Sequence, residues 1–347
     1  RFFDTRAQAE GGGFRPCLKC RPEIAPGLSN MDSSQQLAET AARRIEHAVH
    51  AGIAFHLPDL ATRLGVTDRH LRRIFQATHG VSPHAYLTTQ RLLLAKQLLT
   101  DTTQPITQVA LASGFDSLRR FNAAFVEHYR LNPSQLRKDR GAAPAADAPL
   151  RLAYRPPYDV DAVVAFFAQR QVRGIEQVEG LTLRRTLAWT HRGQRLTGWL
   201  ASRFVPERHE VHVQAAPTLA PVLGAVLQAV RHGLDLDADP TRIDPVLALV
   251  PGTLRAGTRL PGGMDGFELA VRVVLGQQVT VKAARTLTER LVQRFGTPVD
   301  TPWPALTHAF PDAATLAAAD PEAIGTLGIV RQRVKALQAL ATEVAAG

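Results

Sequence analysis

The sequence lacks the usual features of secreted and membrane proteins. It has two cysteines in 347 residues, which cannot form a disulfide framework. No apolar run approaches the ~20 residues that a spanning helix needs, so no membrane partner is predicted. There is no signal peptide, and the reducing cytoplasm is the expected location. Because the chain begins at Arg1 rather than methionine, we expect it to be part of a longer protein.

Acidic residues are too few to balance the basic ones. The formal net charge is +10, and residues 41–140 hold 14 Lys and Arg against 7 Asp and Glu. The partner of this segment is therefore expected to be a polyanion, and the phosphate backbone of double-stranded DNA suits a compact basic domain. The length predicts two to four domains, and a hydrophobic fraction of 45% is enough for real cores.

A short helix, a break at Gly65 and a second helix are predicted within residues 57–75. Apolar residues recur at helical spacing on both sides of the break, and Thr67 is a suitable N-cap for the second helix. Three arginines lie on the face opposite the apolar stripe: Arg69, Arg72 and Arg73. This cationic surface has the right width for a DNA major groove.

The same pattern returns in residues 106–125, with Gly114 as the break and Asp116 as the expected cap. Phe121 and Phe125 form its apolar stripe. Residues 86–99 between the copies are predicted as one linking helix. Five of its residues are expected to pack against both units: Leu92, Leu93, Ala95, Leu98 and Leu99. The alternative is an ordinary helical bundle whose arginines are merely solvated.

Two such units on a linking helix resemble the AraC-type DNA-binding domain. The resemblance implies base-facing positions at Arg69, Arg72 and Arg73 in the first unit. In the second unit it implies Leu118, Arg119 and Ala123. Leu118 and Ala123 have no side-chain group that hydrogen-bonds a base edge, so the second unit is expected to position the domain more than to specify the site.

A Cys-x-x-Cys pair, Cys17 and Cys20, stands near the start of the chain. Such a pair supplies half of a tetrahedral thiolate site, with sulfurs ~2.3 Å from zinc. Gly-Phe-Arg-Pro-Cys-x-x-Cys-x-Pro resembles the second half of the Ada-type metal-binding domain, in which four cysteines hold Zn²⁺ and one accepts a methyl group from a phosphotriester. By that resemblance the acceptor belongs to the first pair, and zinc binding by these residues alone is expected to be weak. A redox pair or two surface thiols are the alternatives.

The composition changes after the basic segment. Residues 139–149 form an Ala- and Pro-rich linker. Residues 150–236 mix helices with three alternating segments at 181–189, 195–204 and 210–214, which predicts a small α+β domain. Residues 237–347 are predicted to be wholly helical. We therefore expect a multidomain, mainly α protein, with the C-terminal half of an Ada-type zinc module at residues 1–28 and a double helix-turn-helix at residues 36–138.

Two motifs of this second half together resemble the AlkA-type 3-methyladenine DNA glycosylase. One is Tyr-Arg-Pro-Pro-Tyr-Asp at residues 154–159, and the other is the helix-turn-helix corner within residues 259–285. The resemblance implies a TBP-like α+β domain followed by part of a helix-hairpin-helix glycosylase domain. Such enzymes flip an alkylated, cationic purine out of the duplex into an aromatic pocket.

The resemblance also implies individual roles. Phe166 matches a pocket aromatic, although it could equally be plain core. Gln277 and Gln278 form the wedge turn, where Gln278 would fill the gap left by the flipped base. A member of that family carries leucine at this position, and an ordinary exposed turn is the alternative.

No catalytic residue is predicted within this chain. In the family an aspartate follows a hairpin, and that position is expected beyond Gly347, so the isolated chain is expected to be inactive. Asp265, Asp312 and Asp320 are predicted to be helix caps or first-turn acids. The leading hypothesis is a monomeric alkylation-repair glycosylase fused to a transcriptional regulator. The alternative is a regulator whose glycosylase-like half only binds DNA.

Overall fold

The computed structural model describes residues 11–13, 30–51, 55–101, 104–138, 149–191, 193–249 and 255–346. The chain divides into two compact units. Unit 1 comprises Arg1–Leu99 with Pro105–Asp139, and unit 2 comprises Thr100–Gln104 with Arg140–Gly347. Cys17 and Cys20 and the linker at 139–148 lie outside the described residues. Within the described ranges, no helix is long and apolar enough to cross a bilayer.

Unit 1 is helical throughout its main described ranges. Its elements are α1 (Asn30–Ala51), α2 (Leu57–Arg63), α3 (Asp68–His79), α4 (Pro83–Asp101), α5 (Ile106–Ala112), α6 (Leu118–Tyr129) and α7 (Pro133–Lys138). The predicted breaks are confirmed, since Gly65 and Gly114 adopt φ of 68° and 80°, a region that glycine enters without strain. The oxygen of Thr67 accepts from the backbone N–H of His70, as an N-cap should.

Two details of the unit 1 prediction were wrong. The cap of α6 is Ser117, whose hydroxyl oxygen accepts from the N–H of Arg120, rather than Asp116. Leu93 is 48% exposed because it shares the outer face of α4 with Lys96, three residues on. Leu94 is buried instead, together with the other four predicted residues of the linking helix.

Unit 2 begins with a five-stranded antiparallel sheet. Its elements are β1 (Leu150–Ala153), α8 (Val160–Arg170), β2 (Glu176–Glu179), β3 (Thr182–His191), β4 (Gln194–Val205), β5 (Glu210–Ala215) and α9 (Leu223–Gly233). The strand order is β1-β5-β4-β3-β2. The three predicted strands correspond to β3, β4 and β5. The sequence did not reveal β1 and β2, which are four residues each and lie at the sheet edges.

The rest of unit 2 is mostly helical. Its elements are α10 (Pro240–Leu247), α11 (Gly266–Gly276), α12 (Val281–Phe295), β6 (Thr297–Pro298), β7 (His308–Ala309), α13 (Ala313–Ala318), α14 (Pro321–Gly325) and α15 (Arg331–Ala346). The expectation of a wholly helical segment was wrong at β6 and β7, which pair as a two-residue antiparallel ladder. Val271, Leu291 and Leu337 belong to one buried core to which α11, α12 and α15 contribute.

Candidate nucleic-acid interface

The first predicted recognition helix, α3, separates its apolar and cationic faces. Three apolar side chains are buried: Leu71, Ile74 and Phe75. Arg69, Arg72 and Arg73 are all exposed on the other side. The Nε of Arg72 donates to the carboxylate of Asp68 at 2.8 Å, and Arg73 lies 3.2 Å from a ring nitrogen of His70. The outer face of the helix thus presents three arginines, of which Arg72 is paired with Asp68.

The second predicted recognition helix, α6, has a different outer face. Phe121 and Phe125 are fully buried, and the predicted contact residues Leu118, Arg119 and Ala123 are all exposed. The charges near its start are partly matched, because Arg120 and Asp116 form an exposed ion pair at 3.3 Å. This surface is less cationic than that of α3.

A cavity of about 350 Å³ lies in unit 2. It is lined by α8, α11, α12 and the loop before α11, and by charged residues of β2 and β3. Phe166 is half-buried and lines this cavity, and its ring lies edge-on to that of Phe167 with centroids 5.5 Å apart. The predicted pocket aromatic therefore borders a cavity of ligand size.

The predicted wedge turn lies beside the cavity. Gly276 and Val279, which flank Gln277 and Gln278, both line it. Both glutamines are exposed, and Gln278 adopts a left-handed backbone with φ of 53°. The next helix begins immediately, since Thr280 caps α12 by accepting from the N–H of Ala283. The turn therefore presents a side chain from a locally constrained backbone at the edge of the cavity.

One wall of the cavity contains a buried ring of ion pairs that sequence reasoning missed. Arg185 lies 3.5 Å from Glu176 and 2.5 Å from Glu268, and Arg272 lies 2.6 Å and 3.2 Å from the same two carboxylates. Burial alone would raise the pKa of Glu176, but Arg272 and Arg185 outweigh it and hold that pKa below its ordinary value. Glu268 and Arg272 lie one turn apart on α11, but the bonds that join them to Arg185 and Glu176 span 83 and 96 positions, so no local pattern predicts the ring.

The two motifs of the second half contact each other. The Arg259 guanidinium donates to the carbonyl oxygens of Arg155 at 2.8 Å and Pro157 at 2.7 Å, and it lies 4.6 Å from the centre of the Tyr158 ring. Burial raises the pKa of the Tyr158 hydroxyl, which donates to the carbonyl oxygen of Leu234 at 2.6 Å. These motif residues hold the α+β part of unit 2 against the loop before α11.

The acidic residues singled out from the sequence are helix caps. Asp265, Asp312 and Asp320 accept from the backbone N–H groups of Glu268, Thr315 and Glu322, respectively. Asp265 also lines the cavity, and Asp312 forms an ion pair with Arg195. Among the described residues, no group of three or more His, Cys, Asp or Glu side chains could hold a metal ion.

Four family models match the chain in succession. They are the metal binding domain of Ada at residues 1–23, a helix-turn-helix domain at 60–139, the AlkA N-terminal domain at 149–265, and the HhH-GPD superfamily base excision DNA repair protein at 271–346. The family resemblances predicted from the sequence are thereby confirmed.

Two curated relatives cover much of the chain. A Mycobacterium tuberculosis protein named "Probable bifunctional transcriptional activator/DNA repair enzyme AlkA" is 36% identical over 363 residues, covering 99% of this chain and 70% of the relative. The Escherichia coli DNA-3-methyladenine glycosylase 2 is 35% identical over 199 residues, covering 56% of this chain and 67% of the relative. Among solved structures, a 3-methyladenine DNA-glycosylase from Archaeoglobus fulgidus aligns with a TM-score of 0.45 at 19% identity, over 55% of this chain and 65% of that one.

The order of the matched domains defines the class: a base-excision repair module that follows a helix-turn-helix module in one chain. The chain belongs to the family of the bifunctional transcriptional activator/DNA repair enzyme AlkA.

Proposed function

We propose that this protein repairs alkylated DNA as a DNA-3-methyladenine glycosylase and that its helix-turn-helix domain binds specific DNA sites as a transcriptional regulator. The observation that carries the repair half is the exposed Gln277–Gln278 turn at the edge of a 350 Å³ cavity bordered by Phe166. A flipped base is stabilised when one side chain fills the space that it leaves in the duplex and a pocket receives it. This turn and cavity supply both elements side by side.

The reaction begins with base flipping. Extrusion costs a few kcal/mol of stacking and pairing, and the cost is smallest for a damaged base. Gln278 enters the gap, and its constrained backbone limits the conformations that must be ordered on binding. Phe166 offers its ring to the extruded base, and the buried ion-pair ring keeps the wall behind it rigid. Cleavage of the bond between the base and its sugar also requires a carboxylate that acts on the flipped nucleotide.

Asp265, Asp312 and Asp320 are not proposed for that carboxylate role, because each one is engaged as a helix cap. The test is release of 3-methyladenine from methylated DNA, measured in parallel for the 347-residue chain and for the full-length product of its gene. Release by the full-length product alone supports a catalytic aspartate outside these residues. A full-length product that binds damaged DNA and releases no base would favour the second hypothesis, a regulator with a non-catalytic glycosylase-like half.

The regulatory half depends on α3. Its exposed Arg69, Arg72 and Arg73 are proposed to contact base edges in the major groove, where arginine pairs well with guanine. Leu118 and Ala123 on α6 offer only apolar contact, such as with a thymine methyl group, and Arg119 adds one charge. We expect the second unit to fix the register of the domain on DNA.

Zinc is proposed as the cofactor of the Ada-type segment. Cys17 and Cys20 would supply two thiolates to a tetrahedral site, and methyl transfer from a phosphotriester would use another thiolate of that site.

The protein is proposed to act as a monomer in the cytoplasm, where the chromosome lies. Light scattering of the purified protein with and without DNA tests the oligomeric state.

A further inference from the structure

One carboxylate of the cavity lining uses only one of its two oxygens within the protein. Asp265 precedes α11, and its Oδ1 accepts the capping hydrogen bond from the backbone N–H of Glu268 at 2.8 Å. Its Oδ2 has no bonding partner among the described residues and is not sealed from solvent. Because Asp265 also lines the cavity, this oxygen is available to a molecule that enters it.

The other two acids of the lining are already neutralised. Glu176 and Glu268 share two arginines, Arg185 and Arg272, in the buried ring of ion pairs, so the ring adds no net charge to the wall. By contrast, no Lys, Arg or His in the described part of the chain lies within ion-pair distance of the Asp265 carboxylate. Asp265 is therefore the unpaired acid of this lining.

The two remaining arginines of the lining are engaged elsewhere. Arg285 lies 3.7 Å from Glu289 on the same helix. Arg170 donates to the backbone carbonyl oxygen of Phe166 at 3.3 Å, so its charge lies at the C-terminal end of α8, where the carbonyl groups of the last turn partly offset it. Neither arginine pairs with Asp265.

We propose that Asp265 gives the cavity a preference for cationic alkylated bases. This inference rests on the proposed glycosylase function and names a residue that selects its substrate. Methylation of a purine ring nitrogen leaves the base positively charged. A carboxylate at the wall of a partly desolvated cavity attracts that charge more strongly than it would in bulk water. A neutral damaged base still stacks in the cavity but gains nothing from this attraction.

The test compares two lesions in one duplex sequence, 7-methylguanine, which is cationic, and ethenoadenine, which is neutral. A fluorinated sugar at the lesion blocks excision, so that binding to the full-length product of the gene is measured without chemistry. Each affinity is divided by that for the undamaged duplex, which cancels binding by the helix-turn-helix domain. We expect Asp265→Asn to lower the ratio of the 7-methylguanine value to the ethenoadenine value by about fivefold, the effect of one unit charge at short range in a partly solvated site.

The choice of variants separates the charge of Asp265 from its role as a cap. Asparagine and serine are both as good N-caps as aspartate, so Asp265→Asn and Asp265→Ser should unfold at the same temperature as the original protein. Both remove the charge, and both should lower the ratio. Asp320→Asn removes the same charge from the cap of α14, which does not line the cavity, and should leave the ratio unchanged.

An unchanged ratio in either Asp265 variant overturns the proposal, as does an equal fall in Asp320→Asn. Failure of the unaltered protein to bind either lesion more tightly than undamaged DNA would instead overturn the proposed function.

Discussion

The guanidinium of Arg333 on α15 donates a hydrogen bond to the backbone carbonyl oxygen of Gln277. The two residues are 56 positions apart, and the bond fastens the exposed turn between α11 and α12 to another helix of the domain. Gln278, the next residue, has φ of 53°, a conformation that a non-glycine residue keeps only when its surroundings enforce it. The bond to Arg333 holds the carbonyl group of the peptide that precedes Gln278.

Arg333→Ala should therefore weaken base flipping without touching DNA-binding groups of the helix-turn-helix domain. Loss of a hydrogen bond to a charged donor costs about 1.5 kcal/mol, which corresponds to roughly a tenfold smaller fraction of flipped base. The fluorescence of ethenoadenine in a duplex rises when the base unstacks and measures that fraction. Arg331→Ala, at the exposed start of the same helix, is the matched control. Equal fluorescence for the Arg333 variant and the original protein would show that the turn keeps its conformation without the Arg333 hydrogen bond.

Gln278→Gly should separate stability from function. Glycine adopts positive φ freely, so the folded state should gain roughly 0.5 to 1 kcal/mol in denaturant unfolding. Flipping should fall at least about tenfold, because no side chain remains to fill the gap in the stack. Gln278→Leu keeps the backbone cost and removes polar atoms from the stack, so it should flip at least as well as the original. Normal flipping by the glycine variant would mean that Gln278 is an ordinary exposed turn residue.

Glu268→Gln should destabilise unit 2 strongly. Glu268 is buried and faces both Arg185 and Arg272, so its neutralisation leaves excess positive charge inside the protein. Breaking a buried pair in this way costs about 3 kcal/mol. Glu179→Gln breaks the pair with Arg184, in which the glutamate is 67% exposed, and should cost less than about 1 kcal/mol. Similar unfolding curves for the two variants would show that the ring contributes little to stability.

Glu176 gives the same ring a pH dependence. Arg272 and Arg185 hold its folded-state pKa below the ordinary value even though burial opposes them. As the pH falls, Glu176 therefore binds a proton in the unfolded chain at a higher pH than it does in the folded protein. The contribution of Glu176 to stability should be complete above its ordinary pKa and be lost as the pH falls through the lowered one. Unfolding free energies measured from neutral to acidic pH should show a shallower acid decline in Glu176→Gln than in the original protein. An identical decline in both would contradict the assignment.

Local signals predicted much of the architecture. Gly65, Gly114 and Thr67 each act through their own backbone or the next turn, so the sequence placed the breaks and one cap correctly. The predicted cap at Asp116 was wrong by one position, because Asp116 and Ser117 are adjacent and both residue types are good caps. The edge strand β2 was missed because its sequence, Glu-Gln-Val-Glu, carries a single apolar residue.

Long-range contacts could not be predicted in the same way. The long-range bonds of the ion-pair ring span 83 and 96 positions, and the bond of Arg333 to the wedge turn spans 56. These charges have the same local pattern as solvated surface residues. Only the fold brings them together, and it is these contacts that surround the proposed base site.

Arg72→Ala tests the regulatory half of the proposal. Arg72 is exposed on α3, and its Nε is bonded to Asp68 one turn earlier, which orients the guanidinium before DNA arrives. If this arginine pairs with a guanine edge, its loss should cost about 1 to 3 kcal/mol on a preferred site selected from random duplexes and much less on random DNA. Arg43→Ala, on the exposed face of α1, should weaken binding to the preferred site and to random DNA equally, or leave both unchanged. An equal loss on both duplexes in Arg72→Ala would instead indicate a phosphate contact, since phosphates are the same in every sequence.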